Sequence, residues 1–135
     1  IEGFKGRAAD FSVPLKQAGV MMLSSIKKNF RSGGRPLPWK PLALSTLKYK
    51  IRKGLSLLPL TGRTGLLQNS IVPSTSANRL TLGTSIRYAA IHQYGGNAGR
   101  NRSAKIPQRK YLLFQPEDVR RINKLIIDHL LKKEN

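Results

Sequence analysis

The fold class depends on residues 71–85, which read IVPSTSANRLTLGTS. The spacing of apolar residues changes here from three or four to two, and a repeat of two is typical of a β-strand with one buried face. Ala77 and Asn78 stand in the middle, where a tight turn would reverse the chain. Leu80 and Leu82 would share the buried face of the second strand. The stretch therefore predicts an antiparallel hairpin.

Helical repeats flank the hairpin on both sides. Apolar residues recur at three- and four-residue spacing between Val13 and Phe30, which predicts a long amphipathic helix. Ser12 is expected to cap its N-terminus, and Gly33 is expected to end it. A second long helix is predicted after Pro116, where acidic residues suit the first turn. The residues expected on the buried stripe of this helix are Val119, Ile122, Ile126 and Leu130.

Shorter elements are predicted between these two helices. Ser45 is expected to cap a basic helix that runs to Lys53. Two helical turns are expected over residues 65–70 and 88–94, and a further strand over residues 111–114. The apolar residues expected to face inward from the basic helix and the first turn are Leu44, Leu47, Ile51, Leu66 and Leu67.

Two segments have the composition of irregular structure. Residues 35–41 carry three prolines in alternating register and the single tryptophan, which predicts an extended, ordered arm. Trp39 is expected to pack this arm onto the core, and the alternative is stacking on a nucleic-acid base. Residues 97–110 are polar, basic and glycine-bearing, which is typical of a mobile loop.

Together these elements predict an α+β fold with one small antiparallel sheet of three or four strands, packed by the N-terminal and C-terminal helices. The length of 135 residues fits a single domain over residues 1–135. The longest apolar runs fall well short of the ~20 residues that a membrane-spanning helix needs, so we expect a soluble chain that makes no membrane contact.

The charge of the chain is large and unevenly distributed. Its formal net charge is +19, from 25 Lys and Arg against 6 Asp and Glu. No acidic residue lies between Phe11 and Pro116, whereas 18 Lys and Arg do. These cations are expected to face counterions or an anionic partner, either nucleic acid or an acidic protein surface. The candidate contacts, for which a solvated surface is an equally weighted alternative, are Lys48, Lys50, Arg52, Lys53, Arg100, Arg102, Lys105, Arg109 and Lys110.

The chain has few of the groups that catalysis uses. It has no Cys, two His and six acids, four of them near the termini, so no catalytic residue, metal site or cofactor is predicted and we expect no enzyme activity. His92 and His129 lack a third metal ligand at helical or hairpin spacing, which favours structural roles. Residues 62–65 have glycines but lack the ending of a phosphate-binding loop, and a turn is the better interpretation.

Four motifs nevertheless carry information about function. Residues 61–71, TGRTGLLQNSI, and residues 88–96, YAAIHQYGG, resemble the phage virion morphogenesis family, the tail-completion proteins that include the G protein of Mu-like phages. The resemblance continues through residues 38–42 and 106–109 in the family's order. The motif residues that it marks as structural are Trp39, Thr61, Gly62, Leu66, Ser70, Ile71, Tyr88, Ala89, His92, Gln93 and Gly95.

The resemblance implies a structural protein of a tailed bacteriophage, assembled in the host cytoplasm into the tail or neck of the virion. Its partners would be copies of itself in a hexameric ring around the DNA channel, and the neighbouring connector, neck, tail-tube or tail-terminator proteins. Phage DNA passing through the ring would meet cations without base contacts. The alternative function, from charge alone, is a free nucleic-acid-binding protein without sequence specificity, and a nuclease or peptidase is disfavoured.

Overall fold

The computed structural model describes residues 10–62 and 64–132, and it confirms the α+β class. A turn of 3₁₀ helix over Arg100–Arg102 accompanies the nine helices and strands of the described residues. In chain order these are α1 (Ser12–Ser32), α2 (Leu44–Arg52), α3 (Leu66–Ser70), β1 (Val72–Thr75), β2 (Leu80–Gly83), α4 (Ala89–Tyr94), β3 (Gly96–Ala98), β4 (Ala104–Ile106) and α5 (Pro116–Leu131).

The described residues fall into two compact units. Unit 1 takes residues 10–25, 72–83 and 114–132, and unit 2 takes residues 26–71, apart from 63, and 84–113. Helix α1 therefore contributes its residues up to Ser25 to unit 1 and the remainder to unit 2. The single domain over residues 1–135 stays a prediction, and each unit is described in turn.

The hairpin of unit 1 confirms the prediction from the period of two. Strands β1 and β2 pair antiparallel, with Pro73 opposite Leu82 and Thr75 opposite Leu80, and Ala77 and Asn78 form the turn. Leu80 and Leu82 are half-buried. Helix α1 passes close to this hairpin, because a Cβ atom on Gly19 would lie 3.1 Å from the Pro73 Cβ and 3.2 Å from the Leu80 Cδ1. A glycine at this position permits the close packing of helix and hairpin.

The start of α1 differs from the prediction. Ser12 is the first helical residue, and its backbone N–H donates to Asp10 Oδ1 at 2.9 Å, so Asp10 provides the acceptor that Ser12 was expected to provide. This hydrogen bond lowers the pKa of the Asp10 carboxyl. The second histidine packs at the same place: His129 Nε2 lies 2.8 Å from the Asp10 carbonyl oxygen, and its ring contacts Phe11.

Helix α5 begins as expected at Pro116, but the prediction that Val119 lies on its buried stripe is wrong. Asp118 is 1% exposed: its Oδ2 accepts from Ser25 Oγ at 2.7 Å and from the Gln115 backbone N–H at 3.0 Å. Together with the Gln115 side chain, which bonds to the backbone of the first turn, it forms a capping box. Because successive helical residues point about 100° apart, turning Asp118 inward leaves Val119 45% exposed.

Unit 2 packs around Phe30 and Tyr111, which are both fully buried. The two rings contact each other at 5.5 Å, and the Trp39 ring meets Phe30 edge-on at 5.7 Å. Trp39 Nε1 also donates to the Lys110 carbonyl at 2.9 Å. The arm over residues 35–41, which includes a cis Arg35–Pro36 bond, is therefore packed onto the core by its tryptophan, as predicted.

Residues 111–114 are not a strand, which corrects the prediction. Side chains satisfy their backbone instead: Gln93 Oε1 accepts from the backbone N–H groups of Tyr111 and Leu112, both at 3.0 Å. Gln93 Nε2 donates to the Leu112 carbonyl at 2.7 Å, and Asn29 Nδ2 donates to the Tyr111 carbonyl at 2.9 Å. With these groups already bonded, the segment has no need of a neighbouring strand.

Residues 97–110 are not the mobile loop that composition indicated. Strands β3 and β4 pair antiparallel, with Asn97 opposite Lys105, and the 3₁₀ turn closes the hairpin. The four strands thus form two separate two-stranded sheets and not one sheet of three or four. Strands of three residues are too short to show alternation, which is why the sequence did not indicate them.

Helix α2 is rotated relative to the prediction, although Leu47 is half-buried as expected. Leu44 and Ile51 are 67% and 64% exposed, whereas Lys50 is only 8% exposed. Ser45 lies inside the helix and Ala43 precedes it, without a side-chain cap. Leu66, also predicted to face inward, is 55% exposed, whereas Leu67 is buried as expected. None of the helices that the structure describes combines the length and hydrophobicity that a bilayer-spanning segment needs.

Candidate functional site

Unit 2 contains a pocket of about 370 Å³ in which motifs distant in sequence meet. The two motif stretches over residues 61–71 and 88–96 both contribute to its wall, and α2 and residue 109 complete it. The residues that line it are Leu42, Lys50, Leu60, Thr61, Gly62, Thr64, Leu66, Leu67, Tyr88, His92 and Arg109.

Lys50 lies at this pocket with most of its side chain buried. Its Nζ donates to the Leu58 carbonyl at 3.1 Å, and the Thr61 hydroxyl donates to the same oxygen at 2.8 Å. Burial lowers the pKa of the Lys50 ammonium, and the charge of Arg109 lowers it further. The ammonium can donate three hydrogen bonds, and the described residues accept one of them.

Arg109 is 6% exposed and connects the pocket to the proline-rich arm. Its Nε donates to the Lys40 carbonyl at 2.8 Å and its Nη2 to the Pro41 carbonyl at 3.0 Å. Its backbone N–H donates to the His92 carbonyl at 2.8 Å. Burial lowers the pKa of the Arg109 guanidinium, although an arginine stays protonated in proteins. Its remaining amino group, Nη1, has no hydrogen-bond partner within the described part of the chain.

His92 contributes a buried polar atom to the same pocket. Its Nδ1 is inaccessible to solvent and has no hydrogen-bond partner among residues 10–62 and 64–132. The Tyr88 ring lies edge-on to the imidazole at 5.9 Å. Burial lowers the pKa of His92, and the charge of Arg109 adds to this effect. Buried polar atoms are nearly always hydrogen-bonded in folded proteins, and the His92 Nδ1 atom is an exception to this rule.

The loop over residues 61–65 forms the other side of the pocket and is a turn, as predicted. The Gly65 backbone N–H donates to the Thr61 carbonyl at 3.0 Å. Gly62 and Gly65 have φ values of 56° and 66°, in the left-handed region that glycine adopts without strain. The turn presents Thr61 and Thr64 to the pocket beside the leucine side chains of the wall.

The distribution of charge between the units is sharper than the sequence alone indicated. The described residues of unit 2 include 15 Lys and Arg and no Asp or Glu, whereas those of unit 1 include four acids and six Lys and Arg. No cation of unit 2 can therefore pair with a carboxylate of its own unit. Across the described residues, no three His, Asp or Glu side chains lie close enough together to hold a metal ion.

The nine cations predicted to contact an anionic partner divide into two groups. Lys50 and Arg109 are buried and donate to backbone carbonyls, so they do not belong to the exposed basic surface. The other seven are exposed and define what we call the basic surface of unit 2. Its members are Lys48, Arg52, Lys53, Arg100, Arg102, Lys105 and Lys110.

The motif residues also divide into two groups. Five of them line the pocket, namely Thr61, Gly62, Leu66, Tyr88 and His92. The others hold unit 2 together: Ile71 and Ala89 are buried, Gln93 bonds to residues 111–112, and the Ser70 hydroxyl lies 2.6 Å from the Thr84 hydroxyl. Gly95, with a φ of 75°, ends α4, and Trp39 packs the arm as described above.

The sequence does not predict the pocket itself. A lysine between Tyr49 and Ile51 gives no sign of burial, so the sequence places Lys50 with its exposed neighbours. The sequence offers one signal, the four family-like motifs, three of which contain residues 61, 92 and 109 in separate segments. Their common pocket follows from the tertiary structure alone.

Comparisons with known proteins agree with the motifs. The Phage virion morphogenesis family matches residues 3–131. A similar protein is the Mu-like prophage FluMu G protein 2 of Haemophilus influenzae, which is 42% identical over 97 residues, or 72% of this chain. The match covers 62% of that relative, so the chain spans about three-fifths of its length. No solved structure matches the chain.

Proposed function

The chain belongs to the phage virion morphogenesis family, and from this premise we propose that it completes the tail or joins head and tail at the neck of a tailed bacteriophage. Its role in virion morphogenesis follows from the family. In the proposal it acts as a homo-oligomeric ring around the DNA channel and contacts the neighbouring connector, neck and tail proteins. This role is structural and uses no catalytic residue, metal or cofactor.

The charge composition of unit 2 is the observation that supports the proposed ring. Fifteen cations without one carboxylate among the described residues of unit 2 repel one another, and this repulsion is relieved when an anionic partner is close. A ring of identical subunits brings the basic surfaces of several copies together, and DNA in the channel would neutralise them through its backbone alone. The ring also requires each subunit to present two different contact surfaces, because its contacts are heterologous and must close.

A density map of the intact virion tests the position and the ring. The expected result is a closed ring of this chain between the connector and the tail tube, with Arg52 and Lys105 within a Debye length of about 8 Å of the channel surface. Particles that lack the chain should accumulate as separate heads and tails. A chain that is absent from virions, or that forms no ring there, would contradict the proposal.

The second candidate function is free nucleic-acid binding, which the exposed basic surface favours. If all seven cations contacted phosphates, the slope of log affinity against log salt would be about −6. The assembly proposal expects weak binding by the isolated monomer, because in that proposal the cations of several copies surround the DNA only in the ring. Fluorescence anisotropy with a labelled duplex at several salt concentrations separates the two, since tight binding with the steep slope supports the second candidate.

A further inference from the structure

The pocket of unit 2 is lined by two buried cations, and the described residues of the unit include no carboxylate to pair with them. Lys50 and Arg109 are 8% and 6% exposed, and both line the pocket. Buried charges in proteins are normally paired with an opposite charge, because leaving one unpaired is costly. Unit 2 has no Asp or Glu that could form such a pair. Any carboxylate that pairs with these two cations therefore comes from outside the unit.

The hydrogen bonds within the pocket are also incomplete. Lys50 uses one donor on the Leu58 carbonyl, and Arg109 uses Nε and Nη2 on the arm. Two ammonium hydrogens, the Arg109 Nη1 group and the His92 Nδ1 atom remain without a partner among the residues that the structure describes. Lys50 and Arg109 therefore offer unused donors at one pocket of about 370 Å³, and the His92 side chain lies in its wall.

The walls of the pocket indicate which anion fits. Leucines 42, 60, 66 and 67 and the Tyr88 ring make them largely apolar. A duplex phosphate backbone is hydrated and is bound by exposed cations, such as those of the basic surface. Buried cations below apolar walls suit an organic anion that carries its charge at the end of a hydrocarbon stem. A glutamate side chain has this form.

We propose that this pocket binds a glutamate side chain of a neighbouring protein in the assembled virion. Its methylene groups would lie against the leucines, and its carboxylate would accept hydrogen bonds from Lys50 Nζ and Arg109 Nη1. Hydrogen bonds between guanidinium or ammonium groups and a carboxylate are among the strongest in proteins. The inference rests on the proposed function for the identity of the partner, and it names the chemistry of that contact.

The test uses small probes on the purified chain of 135 residues. Hexanoate has the carboxylate and the stem, hexanamide has the same stem without the charge, and inorganic phosphate has charge without a stem. Each is titrated to ~50 mM, above the millimolar dissociation constant expected for so small a ligand. The His92 imidazole signals are followed by NMR across pH, because a bound anion nearby stabilises the protonated ring. Hexanoate is expected to shift these signals and raise the pKa of His92.

Matched variants locate the binding. Lys50→Met removes the buried ammonium and keeps a chain of similar length, whereas Lys48→Met removes an exposed charge from the same helix. The first variant should weaken hexanoate binding about tenfold, since one charge-assisted hydrogen bond is lost, and the second should change it less than about twofold. The amide spectrum of each variant shows whether it is folded. If Lys50→Met does not fold, the comparison of probes on the unchanged chain decides the question.

Three results would overturn the inference. An equal response to hexanamide would mean that the pocket binds apolar groups without using its charge. Tighter binding of phosphate, or displacement of hexanoate by a short DNA duplex, would assign the pocket to nucleic acid. An equal loss in Lys48→Met and Lys50→Met would reduce the effect to net charge. None of these results bears on the virion density map, so this inference and the proposed function fail separately.

Discussion

Replacing Gln93 by alanine should destabilise the chain by about 3 kcal/mol. The side chain makes three hydrogen bonds to the backbone of Tyr111 and Leu112, at 3.0, 3.0 and 2.7 Å. A hydrogen bond of this kind contributes about 1 kcal/mol net, and a buried group left without a partner costs more. These bonds are part-buried, so water replaces some of them, and three bonds at about 1 kcal/mol each is the reasonable sum.

Two further variants identify the source of this loss. Gln93→Glu keeps the oxygen that accepts from both backbone N–H groups and loses the donor to the Leu112 carbonyl, so it should cost about 1–2 kcal/mol. Gln108→Ala truncates an exposed glutamine three residues before Tyr111. Its free energy of unfolding should stay within about 0.5 kcal/mol of that of the unchanged protein.

Urea unfolding at low protein concentration measures these differences, and the low concentration avoids a contribution from self-association. Hydrogen exchange of the Tyr111 and Leu112 amides provides a local readout, since both should exchange faster in Gln93→Ala. The reasoning would be refuted if Gln93→Ala were as stable as Gln108→Ala, or if the two amides kept their protection. Residues 111–112 would then be held by packing and not by the glutamine.

The remaining predictions concern backbone geometry, the pH dependence of stability and the buried face of α5. Gly34→Ala should lower the free energy of unfolding by about 3 kcal/mol or more, because φ is 114° and a Cβ would lie 2.6 Å from the backbone nitrogen of Trp39. Gly54→Ala is the control: its φ is 66° and the space around it is open, so it should cost about 1 kcal/mol in the same unfolding measurement. The folded state lowers the pKa of His92, so its contribution is fully present above the unfolded pKa of about 6.5 and is lost as pH falls below it. The stability difference between the unchanged chain and His92→Gln should therefore be constant above about pH 7 and change below pH 6.5, and a flat difference down to pH 5 would contradict the assignment. Val119→Ser should change stability by less than about 0.5 kcal/mol, whereas Ile122→Ser, on the half-buried face of α5, should cost about 1–3 kcal/mol. An equal loss in the two variants would restore the stripe predicted from sequence.

The helix α2 illustrates a general limit of sequence patterns. Its spacing of Leu44, Leu47 and Ile51 predicts an apolar face toward the core, yet two of these residues are exposed and Lys50 is buried. A helix of nine residues has only a few apolar positions, so a small rotation changes which face is buried. Lys50 becomes a possible interior residue only because the Leu58 carbonyl and the pocket lie beside it.

The sequence by itself determined the α+β class, the two long helices, the β1–β2 hairpin and the family. These depend on local or periodic patterns, and such patterns act over neighbouring residues: the repeat in α1, the repeat in residues 71–85 and the order of the four motifs. The absence of carboxylates from residues 11–116 was also evident from the sequence.

Only the tertiary structure decided where that charge is placed. Residues 50, 92 and 109 are far apart in the chain, and no local pattern relates them, yet they line one pocket. The same holds for residues 111–112, whose backbone is bonded by the side chain of Gln93 and not by a strand. A contact between distant residues depends on the packing of the whole unit. The basic surface was therefore visible in the sequence, while the two buried cations that it seemed to include were not.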